Sequence, residues 1–175
     1  MGGPRPTETG DRVQVVVRVR PAMEQDGTDS PALTCNTAKR RVQVVCAGRE
    51  VEKSGTRSYA QARAFEFDAC LDAAASQGEL FDACNIAQLV DAALAGFSVT
   101  VFAFGQTGSG KTFSLFGPTG RGPRSPGGEV HHTDGLVARA LHRLYRAAEE
   151  DESTRHTMRA SFCEIYNEQV RDLCG

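Results

Sequence analysis

Hydrophobic and polar residues alternate along several short stretches of the chain, a pattern that predicts β-strands. The clearest case has valine at every second position over residues 13–19, and Pro21 follows as a strand terminator. Weaker alternation predicts further strands around Val42 and Val44, around Phe65 and Phe67, over residues 158–162, and beginning within residues 170–173. The basic triplet Lys39-Arg40-Arg41, just before one of them, is interpreted as a solvated hairpin end.

Helical periodicity is strongest over residues 76–94. Ser76 and Glu79 form a capping-box pair at its start, and apolar residues then recur at helical spacing as far as Leu94. Gly96 stands where a helix commonly ends in a left-handed residue. The sequence therefore predicts one helix over 76–94.

Two more helices are predicted further along. One begins at Lys111 and is ended by Gly117-Pro118. The other begins with Thr133 or Asp134 as its cap and runs to the acidic residues 149–152. A Gly/Pro-rich insertion, residues 118–132, separates them.

Residues 99–104 are almost all β-branched or aromatic, which predicts a strand buried on both faces. The phosphate-binding pattern of glycine, four residues, then Gly-Lys-Thr follows at once, as Gly105-Gln106-Thr107-Gly108-Ser109-Gly110-Lys111-Thr112. Glycine permits the backbone angles that point successive N–H groups at phosphate oxygens. Lys111 would add a mobile charge for the outer phosphates, and Thr112 a hydroxyl for Mg²⁺. We expect a nucleotide-phosphate site here; the alternative is a glycine-rich turn with a chance lysine.

Arg18 and Arg20 would emerge beside Pro21 at the carboxyl end of the first strand. That end of a strand is where α/β sheets place their ligands. A solvated sheet edge explains the two arginines equally well, so the residues alone leave both interpretations open.

Composition narrows the choice of protein class. A chain of 175 residues, 40% of them hydrophobic, predicts one globular domain after a disordered lead-in at residues 1–11. A net charge of -2 gives no electrostatic case for binding nucleic acid, and no apolar run is long enough to span a membrane. The six cysteines stand singly, which fits a reducing, cytoplasmic setting.

The chain resembles the N-terminal part of a kinesin motor domain, from about residue 13 to residue 173. The resemblance is carried by four stretches in the order and spacing of that family: Val17-Arg18-Val19-Arg20-Pro21, Phe65-Glu66-Phe67-Asp68, residues 102–112, and Glu164-Ile165-Tyr166-Asn167-Glu168. Many NTPases share the phosphate loop alone, whereas the four stretches together are specific. An unrelated P-loop kinase or GTPase is disfavoured, because the guanine-reading Asn-Lys-x-Asp motif does not occur.

The resemblance implies an α/β fold of the P-loop NTPase type, with a central mixed sheet flanked by helices. It implies ATP and Mg²⁺ as ligands, with Arg18, Arg20 and Pro21 flanking the adenine and Phe113 stacking on it. It also implies microtubules, built of tubulin, as the partner, and a cytoplasmic, cytoskeletal location. Residues 118–132 match a loop whose sequence varies between kinesin subfamilies.

Two segments of the family, Asn-x-x-Ser-Ser-Arg-Ser-His and Asp-Leu-Ala-Gly-x-Glu, do not occur in the sequence. They position the attacking water and sense the γ-phosphate, so no catalytic residue is assigned. Residues 12–175 are therefore expected to form an apparently truncated motor domain, inactive alone. In the complete domain they would bind the ATP whose hydrolysis drives movement along microtubules. The alternative is a truncated nucleotide-binding or interaction product without motor activity.

Overall fold

The computed structural model describes residues 13–23, 33–52, 55–118 and 129–174. The predicted lead-in at 1–11 and most of the insertion at 118–132 lie outside these ranges. Two compact units are present, Met1–Arg143 and Leu144–Gly175. The described elements are β1 (Val16–Arg18), β2 (Leu33–Asn36), β3 (Arg41–Glu52), β4 (Gly55–Glu66), β5 (Ala69–Leu71), α1 (Gln77–Ala83), α2 (Ile86–Leu94), α3 (Lys111–Phe116), α4 (Leu136–Glu150), β6 (Cys163–Tyr166) and β7 (Gln169–Asp172).

The predicted α/β class is confirmed, with both parallel and antiparallel pairing. In the described residues the strands form three sheets: a parallel pair β1–β5, an antiparallel β2–β3–β4 sheet and an antiparallel β6–β7 hairpin. The turn at residues 37–40 connects β2 to β3 and is exposed, as the interpretation of the basic triplet requires. None of the helices in the described ranges is long and apolar enough to cross a membrane.

The parallel pair fixes the strand that carries Arg18. Val17 lies opposite Cys70, and Val19 N–H donates to Leu71 O beyond the end of β1 (2.8 Å). Before the strand, Val15 N–H donates to the Asp68 carboxylate (2.8 Å), and Asp68 N–H donates back to Val15 O (3.0 Å). Asp68 therefore holds β1 in register.

Among the residues of the first unit whose side chains the structure describes, six apolar side chains are buried: Val42, Cys70, Leu80, Ile86, Val90 and Leu136. They come from the strands β3 and β5 and from the helices α1, α2 and α4.

The prediction of one helix over 76–94 is wrong, because the helix is interrupted at residues 84–85, between α1 and α2. Asn85 has φ 51°, a left-handed conformation that asparagine adopts at low cost, and its amide donates to Gln14 Oε1 (3.2 Å). The break leaves both Leu80 and Ile86 buried. Two predicted details are confirmed, the Ser76–Glu79 capping box and a positive φ at Gly96 (94°).

The prediction of a buried strand over 99–104 is also wrong for the described structure. These residues belong to no strand, and Phe102 and Phe104 are 71% and 95% exposed. A strand that is apolar on both faces needs hydrogen-bonded neighbours and covering layers. The described residues give this segment no such neighbour.

In the second unit, the strand predicted over 158–162 is displaced to β6. Asn167 and Glu168 both have positive φ, 49° and 62°, which makes a two-residue hairpin turn between Tyr166 and its partner Gln169. In such a hairpin the strands continue to the turn itself. The position of β6 is therefore set by the turn and not by the alternation over residues 158–162. The strand predicted within 170–173 is confirmed as β7.

α3 ends at Gly117, as predicted (φ 86°). α4 begins at Leu136, so its capping position is Gly135 and the prediction of a Thr133 or Asp134 cap is wrong. A Cβ at Gly135 would lie 2.5 Å from the carbonyl of Leu115. The close approach of α3 to the start of α4 therefore requires glycine at position 135.

Replacing Ser76 by alanine tests the capping box. We expect the free energy of unfolding to fall by about 1 kcal/mol, because the Glu79 N–H loses its acceptor at the start of α1. Urea unfolding followed by circular dichroism measures this. Ser98→Ala, at an exposed serine outside the helices, is the control; equal effects of the two substitutions would contradict the capping role.

Candidate functional site

The phosphate-loop sequence adopts a conformation that depends on glycine. Gly105, Gly108 and Gly110 all have positive φ, 156°, 79° and 94°. A Cβ at Gly105 would also lie 2.5 Å from Ser109 Oγ, closer than atoms pack. The Ser109 N–H donates to Gln106 O across the loop (3.2 Å). The residues present thus fit a backbone cradle for an anion.

Lys111 lies at the start of α3 with its ammonium turned back over the loop. Its Nζ donates to the carbonyl oxygens of Gly105 (2.8 Å) and Gln106 (2.9 Å). A positive charge therefore stands at the rim of the cradle, within reach of whatever the loop holds. Thr112 is exposed on the first turn of the same helix, and Thr107 is exposed at the tip of the loop.

Arg18 is held by three hydrogen bonds, two to residues around the start of α1 and one to α3. Its Nη1 donates to Gln77 Oε1 (2.9 Å) and Ser114 Oγ (3.2 Å), and its Nη2 donates to Ala75 O (2.9 Å). The guanidinium lies over the Phe113 ring, 5.3 Å from its centre, an attractive cation–π arrangement. Burial lowers the pKa of Arg18 from its usual value. Arg18 is therefore not a solvated residue at a sheet edge, the alternative that the sequence had left open.

Gln77 is a part of the site that the sequence analysis did not identify. It is 3% exposed, and its amide Nε2 donates to Phe113 O (2.8 Å) while Oε1 accepts from Arg18. The capping box places Gln77 at the first position of α1, but nothing in the local sequence says that this position faces Arg18. The sequence shows only a polar residue next to a helix N-cap, and a polar residue at that position is usually exposed to solvent.

An open cleft adjoins the loop and brings together the residues predicted to contact adenine. Its lining consists of Arg18, Arg20, Pro21, Ala73, Ala75, Ser109, Gly110, Phe113 and Ser114. The cleft measures about 170 Å³, less than pockets that enclose a drug-sized ligand, so its size suits one part of a ligand. It lies directly beside the end of the phosphate loop. Residues far apart in sequence thus line one cleft that adjoins the phosphate-loop sequence.

Comparison with known proteins gives a family match over most of the chain. The profile of the kinesin motor domain matches residues 18–175. Kinesin-like protein KIF12 of Mus musculus is 40% identical over 98% of this chain. Kinesin-like protein KIN-5A of Arabidopsis thaliana is 33% identical over 95% of it, and kinesin-like protein klpA of Emericella nidulans is 32% identical over 96%.

The chain is much shorter than these curated relatives. It spans 24% of the length of the mouse protein, 15% of the Arabidopsis protein and 20% of the Emericella protein. The similarity therefore concerns one segment of each relative.

Gly105→Ala tests whether the loop needs glycine for space as well as for backbone angle. We expect it to weaken ATP binding more than Gly108→Ala does, because a Cβ at Gly108 meets nothing within 4 Å and adds only the strain of positive φ. That strain is on the order of 1–2 kcal/mol. Titration with a fluorescent ATP analogue provides the measurement.

The matched control is the double variant Gly105→Ala/Ser109→Gly, which removes the clashing side chain. It should recover affinity to about the level of Gly108→Ala. No recovery, or equal losses for the two single variants, would show that crowding at Ser109 does not shape the loop.

Proposed function

This chain belongs to the kinesin motor domain family, and we propose that it forms the ATP-binding part of a microtubule motor. In the complete domain, ATP hydrolysis would be coupled to movement along microtubules. The observation that carries the proposal is the continuity between the glycine-dependent loop and the cleft lined by Arg20, Pro21 and Phe113. A loop whose backbone can surround phosphates, next to a cleft large enough for a base, is the arrangement that nucleotide binding requires.

Each residue of the loop has a role set by its chemistry. The loop backbone from Gly105 to Gly110 would surround the phosphates with N–H donors. Lys111 would exchange its contacts with the loop carbonyls for the outer phosphate oxygens. Thr112, exposed one position later, offers the hydroxyl that a phosphate-bound Mg²⁺ requires. The magnesium ion would supply charge neutralisation between the phosphates.

On the base side, we assign different roles to the two arginines. Arg20 and Pro21 line the cleft beyond the end of β1, where they can contact an adenine ring, and Phe113 offers a partly exposed aromatic ring to the same cleft. Arg18 directs three hydrogen bonds to neighbouring protein groups. It would therefore shape the cleft and leave direct contact with the base to the others.

We propose microtubules as the partner and a cytoplasmic, cytoskeletal location, by analogy with the kinesin family. We assign no catalytic residue within these 175 residues, since the family's two switch sequences do not occur in them.

Lys111→Ala tests the phosphate-loop assignment. Loss of the charged donor is expected to weaken ATP binding roughly 10- to 100-fold, the usual worth of a hydrogen bond to a charged group. Equilibrium titration of the full-length gene product with ATP and Mg²⁺ gives the affinity. Lys39→Ala, at the exposed β2–β3 turn, is the matched control and should bind ATP like the parent. Parental affinity in the Lys111 variant would refute the assignment.

The second candidate function is a nucleotide-binding or interaction product without motor activity. The exposed apolar residues Phe102 and Phe104 favour it for the 175-residue chain by itself, since an unpaired apolar segment invites association with other proteins. The two candidates differ in whether the gene product turns over ATP when microtubules are added.

Residues 1–175 alone are expected to give no microtubule-stimulated ATP turnover. A phosphoryl-transfer site without groups that position water retains binding but loses most of its rate acceleration. The measurement is phosphate release with and without microtubules, for this chain and for the same chain extended to a complete motor domain. Stimulated turnover by the 175 residues would contradict the expectation, and its absence from both proteins would favour the second candidate.

A further inference from the structure

We propose that Gln77 is a positioning residue for nucleotide binding: its buried amide joins Arg18 to the first turn of α3 and thereby sets the base-side wall of the cleft. The inference rests on the proposed ATP-binding function and adds to it a determinant of base affinity outside the phosphate loop. Gln77 lies at the start of α1, away from the loop in sequence.

The first argument is burial. Among the residues whose side chains the structure describes, Gln77 is the buried polar one, at 3% exposure. A buried amide is stable only when its donor and acceptor both find partners. Here Nε2 donates to Phe113 O at 2.8 Å and Oε1 accepts from Arg18 Nη1 at 2.9 Å.

The second argument is that only an amide satisfies both neighbours. The reverse orientation would set the NH₂ group against the guanidinium and the oxygen against a carbonyl. A carboxylate could accept from Arg18 but could not donate to Phe113 O, and an apolar side chain could do neither. The pairing therefore fixes the chemical type and the length of the side chain at position 77.

The third argument concerns what is joined. Phe113 O also accepts the helical hydrogen bond from Gly117 N–H (2.8 Å), so the Gln77 contact is made to a carbonyl inside α3. The same turn supplies the Phe113 ring beneath the guanidinium and the Ser114 hydroxyl beside it. Gln77 thus links β1 and α3 through α1, and the three elements hold the cleft wall as a unit.

Loss of the Gln77 bridge should weaken the binding of the base but not the binding of the phosphates. The phosphate cradle is built from the backbone of residues 105–110 and the Lys111 side chain, which donates hydrogen bonds to carbonyl oxygens of the loop itself. Loss of the Gln77 bridge would free the Arg18 guanidinium beside the Phe113 ring, while the helical hydrogen bond from Gly117 N–H to Phe113 O and the contacts of Lys111 with the loop would stay in place. ATP affinity should therefore fall while the affinity for inorganic tripolyphosphate, which has no base, stays unchanged.

The test compares these two ligands, each with Mg²⁺, on the full-length gene product by isothermal titration calorimetry. Gln77→Met keeps the length of the side chain and removes both hydrogen bonds. It is expected to raise the Kd for ATP about tenfold, as the loss of one such bond would. The Kd for tripolyphosphate should remain within about twofold, and Gln88→Met, at an exposed position of α2, should change neither value.

Equal weakening of both ligands would overturn the proposal, because a purely structural role disturbs the whole site. An unchanged Kd for ATP would overturn it too. Should Gln77→Met fail to fold, Gln77→Asn keeps the amide but is too short to bridge both partners, and the same selective loss is expected of it. If the parent protein binds neither ligand, the proposed function itself fails; if it binds both equally, the phosphate loop stands and the Gln77 proposal falls.

Discussion

A guanidinium that is partly withdrawn from water must find protein partners for its N–H groups, and at Arg18 this requirement organises the site. The partners come from Gln77 and Ala75 at the start of α1 and from Ser114 in α3. Each is neutral, so the charge is stabilised by oriented dipoles and by the face of the Phe113 ring. The lowered pKa of Arg18 reflects the burial that makes these contacts necessary. Strand β1 and two helices consequently meet at one side chain, beside the phosphate loop.

How much of the site could be predicted from the sequence depends on how local its causes are. The phosphate loop could be predicted, since positive φ at Gly108 and Gly110 is a property of glycine and of its spacing to Lys111. The capping box of α1 was predictable for the same reason. Gln77 was not, because its partners lie 59 and 36 residues away and only the folded chain brings them together. The roles of the adenine-side residues came from a family resemblance, and the structure adds their proximity.

The fold likewise has features with local causes, which could be predicted, and features that depend on distant residues, which could not. Periodicity predicted the helical residues of 76–94 but not the break at Asn85, because apolar spacing continues across a single left-handed residue. Composition predicted a buried strand over 99–104, yet burial is a property of the neighbours as much as of the strand, and the described residues provide none. In the β6–β7 hairpin a two-residue turn set the strand positions, overriding alternation that began several residues earlier.

Two glycines bring the end of α3 and the start of α4 into close contact on either side of the insertion. Gly117 ends α3 where a Cβ would lie 2.6 Å from the Thr133 carbonyl, and Gly135 begins α4 where a Cβ would lie 2.5 Å from the Leu115 carbonyl. The backbones on either side of residues 118–132 are thus in direct contact, and only glycine allows that approach. Closing a loop costs little more free energy as the loop lengthens, since the cost grows with the logarithm of its length. With both ends fixed against each other, the insertion can change in length or sequence without moving α3, and so without moving Lys111 or Phe113.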